Sequence, residues 1–373
     1  MTEPRKIVLI LGNGFDLDLG FKTSYKDFWE SDYCPKDYPA PLIHYLNQHW
    51  PNNLESVRWY DLENGLLDYY YEIVKDPTKA KDIITEEERH FLEKFTSYGY
   101  INGWYDNQWN LIESLINKGV LSATDYGIYR EVHEHYKDDA LQSPIWRDKK
   151  ALDLIKDKLC SYLGSIKMPI SEKKVSYQIL HAIIKTQEAG AFVDAFTFNY
   201  THPWWPNHNL DDIHIKYVHG SCEDGKIIIG TRDDQTIAES YDFLQKAMDD
   251  SFNPSDIVTK LREADEVVIF GHSLGENDRQ YFAPFFLKQS DYVNTEKKDI
   301  TIFTRDTESM REIKRAIQKM TDGRLSSFIS INQPTFIRTA EAVEDQKLIL
   351  KFLVNHHLSK EYAEKLIGQL TRR

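Results

Sequence analysis

The chain has 373 residues, 41% hydrophobic and 13% aromatic, enough for a sizeable core in one large domain or two interleaved ones. Its formal net charge of -13 excludes strong non-specific nucleic-acid binding, which needs a general excess of Lys and Arg, and leaves only a local basic patch open. Cys34, Cys160 and Cys222 are far apart, with neither zinc-ligand spacing nor a disulfide framework, so a reduced, cytoplasmic protein is expected.

The first element is the apolar run Ile7–Leu11, too short for a signal-peptide core or a membrane span, so no membrane partner is expected. It breaks at once into Gly12-Asn13-Gly14-Phe15-Asp16. A buried strand ending in a glycine turn is how open α/β sheets build a nucleotide site at the carboxyl end of a strand. Glycines let backbone approach a phosphate, and a following helix offers N–H groups to the anion. The third glycine of the dinucleotide fingerprint is missing, and a Gly-x-Gly turn also serves purely steric needs.

From about Ser24 to Gly190 strand signal is scarce and amphipathic helix abundant, as in the helical spacings Leu152, Ile155, Leu159, Tyr162 and Leu180, Ile183, Ile184. Trp29, Trp50, Trp59, Trp104, Trp109 and Trp146 lie in this stretch, and Trp204 and Trp205 lie beyond it. A helical insertion is expected over residues 24–189, its aromatics packing a core or, alternatively, forming a lid or partner surface.

Further apolar runs at Phe192–Phe198, Ile215–Val218, Ile227–Ile229, Val267–Phe270, Ile300–Phe303 and Phe328–Ile331 predict strands of a mostly parallel sheet. Met310, Ile313, Ile317 and Met320, and later Leu348, Ile349, Phe352 and Leu353, predict helices. The expected fold is therefore α/β and Rossmann-like. Residues 1–23 plus 190–335 would form the nucleotide-binding domain, with C-terminal helices over 336–373.

Three more polar blocks end strands: Phe196-Thr197-Phe198-Asn199-Tyr200-Thr201, Tyr217-Val218-His219-Gly220 and Phe270-Gly271-His272-Ser273-Leu274-Gly275-Glu276-Asn277-Asp278. In a parallel sheet these ends converge on one rim. Gly271–Gly275 also fits the Gly-x-Ser-x-Gly nucleophile elbow, and Asp306 with His356 or His357 would follow in triad order. That reading leaves Asn13, Asp16, Asn199 and His219 without a role. In its rival, Ser273 and the adjacent N–H groups bind a phosphate or ribose. His133-Glu134-His135 and the loose set His202, His208 and His214 lack an established metal spacing, and no metal is expected.

Gly12-Asn13-Gly14-Phe15-Asp16 with Leu17–Gly20 and Ser24–Phe28, then Phe198–Thr201, His219-Gly220, Ile229-Gly230 and Gly271–Gly275 with Asp278, resemble the AbiH family of bacterial abortive-infection proteins. The same block order is similar, more distantly, to sirtuin-like NAD-binding domains. The resemblance implies antiphage defence and NAD as substrate or ligand. It implies Asn199 and His219 as the catalytic pair of an NAD glycohydrolase. It also implies Gly12, Asn13, Gly14, Phe15, Asp16, Thr201, Gly271, His272, Ser273 and Asp278 as residues that bind the nucleotide. The sirtuin glycine turn carries Ala where Asn13 stands, and the absence of a CxxC zinc module argues against a protein deacylase. A non-catalytic nucleotide sensor and a Ser273 hydrolase remain the alternatives. A homo-oligomer or a defence-system partner protein is the expected class of protein contact.

Overall fold

Six apolar strands build one parallel sheet in the computed structural model, which describes residues 3–49, 62–75, 85, 111, 114–115, 144–166, 173–202, 213, 215–253, 255–293, 296–341 and 343–370. The strands are β1 (Lys6–Leu11), β2 (Phe192–Thr197), β3 (Ile215–Tyr217), β4 (Gly220–Ser221), β5 (Lys226–Ile227), β6 (Glu266–Phe270), β7 (Asp299–Thr304) and β8 (Thr335–Arg338). The sheet runs β3-β2-β1-β6-β7-β8, every pair parallel, while β4 and β5 form a separate antiparallel pair. Taking the sheet members in chain order, this is the doubly wound dinucleotide-fold order, with its reversal between β1 and β6.

Successive side chains of β1 bury themselves on opposite faces. Ile7, Leu9 and Leu11 join one core with Phe15, Ile179, Leu180, Ile183, Ile349, Phe352 and Leu353. Val8 and Ile10 join the other with Ile257, Leu261, Phe282, Phe285, Phe286, Ile313 and Ile317. Burying a Leu, Ile, Val or Phe stabilises by roughly 1.5–3 kcal/mol, so these two layers fix the helices Val175–Glu188 and Gln346–Asn355 on one side and Arg279–Gln289 and Thr307–Met320 on the other.

The chain divides into two compact units, Met1–Ser24 with Leu163–Ile227 and Ser251–Arg373, and Tyr25–Tyr162 with Ile228–Asp250. The first is the sheet unit. It includes helix Val175–Glu188 and the C-terminal helices, because their apolar stripes complete the sheet's own core. The second is helical, with Tyr25–Glu30, Pro41–His49, Leu62–Tyr69 continuing into a π-turn at Tyr70–Val74, and most of Pro144–Ser165. At its centre the buried Asp148 carboxylate accepts hydrogen bonds from the Leu42 N–H (2.9 Å), the Tyr69 hydroxyl (2.5 Å) and the Tyr241 hydroxyl (3.0 Å). Burial pushes this carboxyl up to about 6 against those three donors. Buried Lys246 pairs with Glu63 at 2.9 Å, and this pair, the Tyr241–Asp148 bond and a hydrogen bond from the Ala238 N–H to the Tyr70 hydroxyl are among the polar contacts that tie residues 228–250 into this unit. Trp29 is buried and Trp146 exposed. Trp50, Trp59, Trp104, Trp109, Trp204 and Trp205 lie outside the described residues.

Three sequence expectations are corrected. Phe328–Ile331 is not a strand but part of helix Leu325–Asn332, which buries Phe328 and Asn332, four apart, rather than alternate residues. Short apolar runs do not distinguish the two periods. The strand instead follows at Thr335-Phe336-Ile337-Arg338, across the expected domain boundary. Ile227–Ile229 joins no parallel sheet: only Lys226 and Ile227 pair, antiparallel to Gly220 and Ser221. The polar turn ending at Gly225, with φ of 64°, folds the chain straight back there. Neither Cys160 nor Cys222 is a free thiol, and Cys34 is the free cysteine among the described residues, a state that sequence separation does not reveal. No helix among the described residues is long and apolar enough to cross a membrane.

Candidate functional site

The four polar blocks of the sequence all leave the carboxyl ends of sheet strands, after β1, β2, β3 and β6. The glycine turn after β1 is packed backbone to backbone on the turn after β6. A Cβ on Gly12 would meet the His272 Cα at 2.5 Å, and one on Gly14 would meet the Gly271 Cα at 2.7 Å. The Gly12 N–H donates to the Phe270 carbonyl, the Gly14 N–H to the Gly271 carbonyl and the Phe15 N–H to the Gly12 carbonyl. Glycine is therefore required at 12 and 14 for steric reasons. These three N–H groups are spent within the protein, not presented to an anion.

Asp16, in the first turn of helix Asn13–Leu19, is 2% exposed. Its carboxylate accepts a 2.5 Å hydrogen bond from the Thr201 hydroxyl and another from the Asn199 side chain. The Asn199 amide nitrogen also donates to the Gly12 carbonyl at 3.2 Å, so both nitrogen-side partners are acceptors and the amide orientation is determined. The other end of the same group, Asn199 Oδ1, is buried and has no hydrogen-bond partner among the described residues. Asn199 itself is 7% exposed. An orphaned buried carbonyl calls for a donor from a ligand or water.

Burial pushes the Asp16 carboxyl up to about 7, opposed by the bonds from Thr201 and Asn199. Between about pH 4 and about pH 7 the unfolded chain ionises this group while the folded chain resists, so its contribution to stability falls as pH rises through that window and levels off above it. Asp16→Asn cannot ionise. Its stability relative to wild type, followed by urea denaturation from about pH 4 to about pH 8, is expected to rise by a few kcal/mol across the window. A constant difference would return Asp16 to the ordinary carboxylate range.

His219, just after β3, and His272, just after β6, both meet Asp278. His219 Nε2 lies 2.8 Å from Asp278 Oδ1, and His272 Nε2 lies 3.3 Å from Oδ2. The Phe198 ring packs against both imidazoles, with centroids 5.4 Å and 4.2 Å away. Phe198 and Tyr281, which also abuts His219, were not among the expected site residues. The signal for Tyr281 was its position one helical turn beyond Asp278.

Other expected site residues are placed differently. The Phe15 ring is in the core, edge-on to Phe270, and does not face the rim. Asn13 Oδ1 accepts from the Thr23 hydroxyl at 2.5 Å. Ser273 is exposed on the turn after β6. The partners of a serine triad are not brought to it: Asp306 caps helix Thr307–Met320 through the Ser309 N–H, and His356, 2% exposed, pairs with Glu266 at 3.1 Å. His202 Nδ1 contacts the Tyr217 hydroxyl at 2.6 Å, while His133, Glu134, His135, His208 and His214 lie outside the described residues. Among the described residues, no group of three or more His, Cys, Asp or Glu could hold a metal ion.

Residues 8–303 match a family model described as Bacteriophage abortive infection AbiH. No curated protein and no solved structure matches the chain.

Proposed function

We propose that this chain, which belongs to the bacteriophage abortive infection AbiH family, binds NAD at the β1–β6 crevice and hydrolyses its nicotinamide–ribose bond. Membership makes it a protein of phage abortive-infection defence. The NAD chemistry is our reading of the site, and the unpartnered Asn199 Oδ1 carries it. A ribose hydroxyl or the attacking water is the kind of donor that this oxygen lacks.

In this reaction the C1′–N bond breaks and its electron pair leaves with nicotinamide, which becomes neutral. The ribose ring passes through oxocarbenium character, and a water oxygen then bonds to C1′. One water proton goes to an imidazole and on to solvent. The products are nicotinamide, ADP-ribose and a proton. Asn199 orients the ribose or the water, and His219 takes the proton, a task for which an imidazole is suited near neutral pH. Asp16 and Thr201 hold Asn199 in place, and the Asp278 carboxylate lies against His219, where it stabilises the imidazolium that forms. Because the N–H groups of Gly12, Gly14 and Phe15 are already used, recognition in this reading rests on the sugar end. No step requires a metal.

The test is chromatographic detection of nicotinamide released from NAD by purified protein. Turnover is expected for the wild type, with a loss on the order of 10²–10⁴-fold in His219→Ala. If the wild type is inert, calorimetry with NAD decides. Binding without cleavage makes the site a sensor, and no binding sinks the dinucleotide assignment.

A further inference from the structure

We infer that Asp278 is a positioning residue placed between two imidazoles, its Oδ1 holding the Nε2–H of His219 and its Oδ2 lying beside Nε2 of His272, and that it thereby makes Nδ1 of His219 the proton-accepting nitrogen. This rests on the NAD-cleavage reading for the source of the proton, but its structural content stands apart from it.

His272 Nδ1 accepts a 2.9 Å hydrogen bond from the Leu274 N–H. That nitrogen therefore carries a lone pair, and in the neutral ring the proton is on Nε2, which faces Asp278 Oδ2 at 3.3 Å. The second carboxylate oxygen faces Nε2 of His219 at 2.8 Å. A carboxylate is acceptor-only, so this nitrogen too must bear its proton, and the basic lone pair of neutral His219 is on Nδ1. When Nδ1 takes a proton from water, the Asp278 carboxylate lies against the imidazolium that forms and stabilises it.

Asp278 performs this task instead of a commoner one. It stands at the N-cap of helix Arg279–Gln289, where an Asp side chain usually accepts an N–H of the first turn, yet it makes no such capping bond. The helix still contributes, because the positive end of its dipole favours the ionised carboxylate. Phe198 packs against both rings, Tyr281 against His219 and Phe282 against His272, which limits reorientation of either imidazole.

Asp278→Asn discriminates sharply. Asparagine offers one acceptor and one donor, so it cannot serve two Nε2–H groups. His272 is committed by Leu274, so His219 is the ring that must change, to the Nδ1–H tautomer with Nε2 accepting from the new amide. Imidazole ¹⁵N NMR of the full chain, above the imidazole titration range, reads this directly, with His219→Ala and His272→Ala assigning the two rings among the 13 histidines. The expected result is Nε2–H for both rings in the wild type, a switch of His219 alone in Asp278→Asn, and retention of both tautomers in Asp278→Glu, which keeps two acceptors. Alongside it, kcat for NAD falls on the order of 10²–10⁴-fold in Asp278→Asn while KM changes by less than about threefold, as for loss of an orienting carboxylate. An unswitched His219 in Asp278→Asn, or Nδ1–H in the wild type, overturns the inference. An inert wild type with the expected tautomers would instead overturn the NAD reading and leave the shared-carboxylate geometry intact.

Discussion

Asn199→Ala is expected to lower kcat for NAD cleavage by at least about 100-fold, the scale on which one fixed polar contact to a transition state acts. The substitution removes three functions at once. It deletes the unpartnered Oδ1, the donor to the Gly12 carbonyl and one of the two side-chain donors to Asp16. The last loss has its own signature. The Asn199 bond opposes the upward push of burial on Asp16, so the Asp16 carboxyl should titrate still higher in the variant, seen as a wider pH window of declining stability. Comparing nicotinamide release with a urea titration of the same preparation separates chemistry from folding. Undiminished turnover in folded Asn199→Ala would remove this residue from the reaction.

Gly271→Ala should destabilise the sheet unit by more than about 3 kcal/mol and leave little soluble protein. Its φ of 64° is a left-handed conformation, and the added Cβ would lie 2.4 Å from both the Gly14 carbonyl carbon and the Phe15 nitrogen. Those atoms are backbone held by hydrogen bonds from Phe15 to Gly12 and from Gly14 to Gly271, so no side chain can swing aside. Gly323 is the control: φ is 82°, but nothing lies within 4 Å of its Cβ position. Gly323→Ala should cost only the conformational strain, about 1–2 kcal/mol. Urea midpoints of the two variants give the comparison. Equal losses would show that the two strand-end turns can move apart, against the close packing that joins them.

Much of the fold was legible because its signals are local. The unbroken run Ile7–Leu11 buries on both faces whatever its neighbours are, and Met310, Ile313, Ile317 and Met320 repeat at helical spacing wherever that helix docks. The ordered blocks from Gly12 to Asp278 carried the family, which the match over residues 8–303 supports. Where local signals are degenerate, the sequence misled. Phe328-Ile329-Ser330-Ile331 suits either period, and the neighbouring core that receives Phe328 decided for helix. The tertiary structure alone settled which atoms of the named residues already have partners within the protein. Gly12 and Gly14 looked like a phosphate cradle, yet their N–H groups are taken by a turn about 260 residues away in sequence. Asn199 looked like one polar residue among several, yet its buried Oδ1 has no hydrogen-bond partner among the described residues. Asp278 and its two histidines come from two separate blocks, His219 from one and His272 with Asp278 from the other. Residue type and spacing thus determined most strands and helices, since these depend on nearest neighbours along the chain. The folded structure decided hydrogen-bond partners, burial and protonation, because those depend on groups that only the order of the sheet strands brings together.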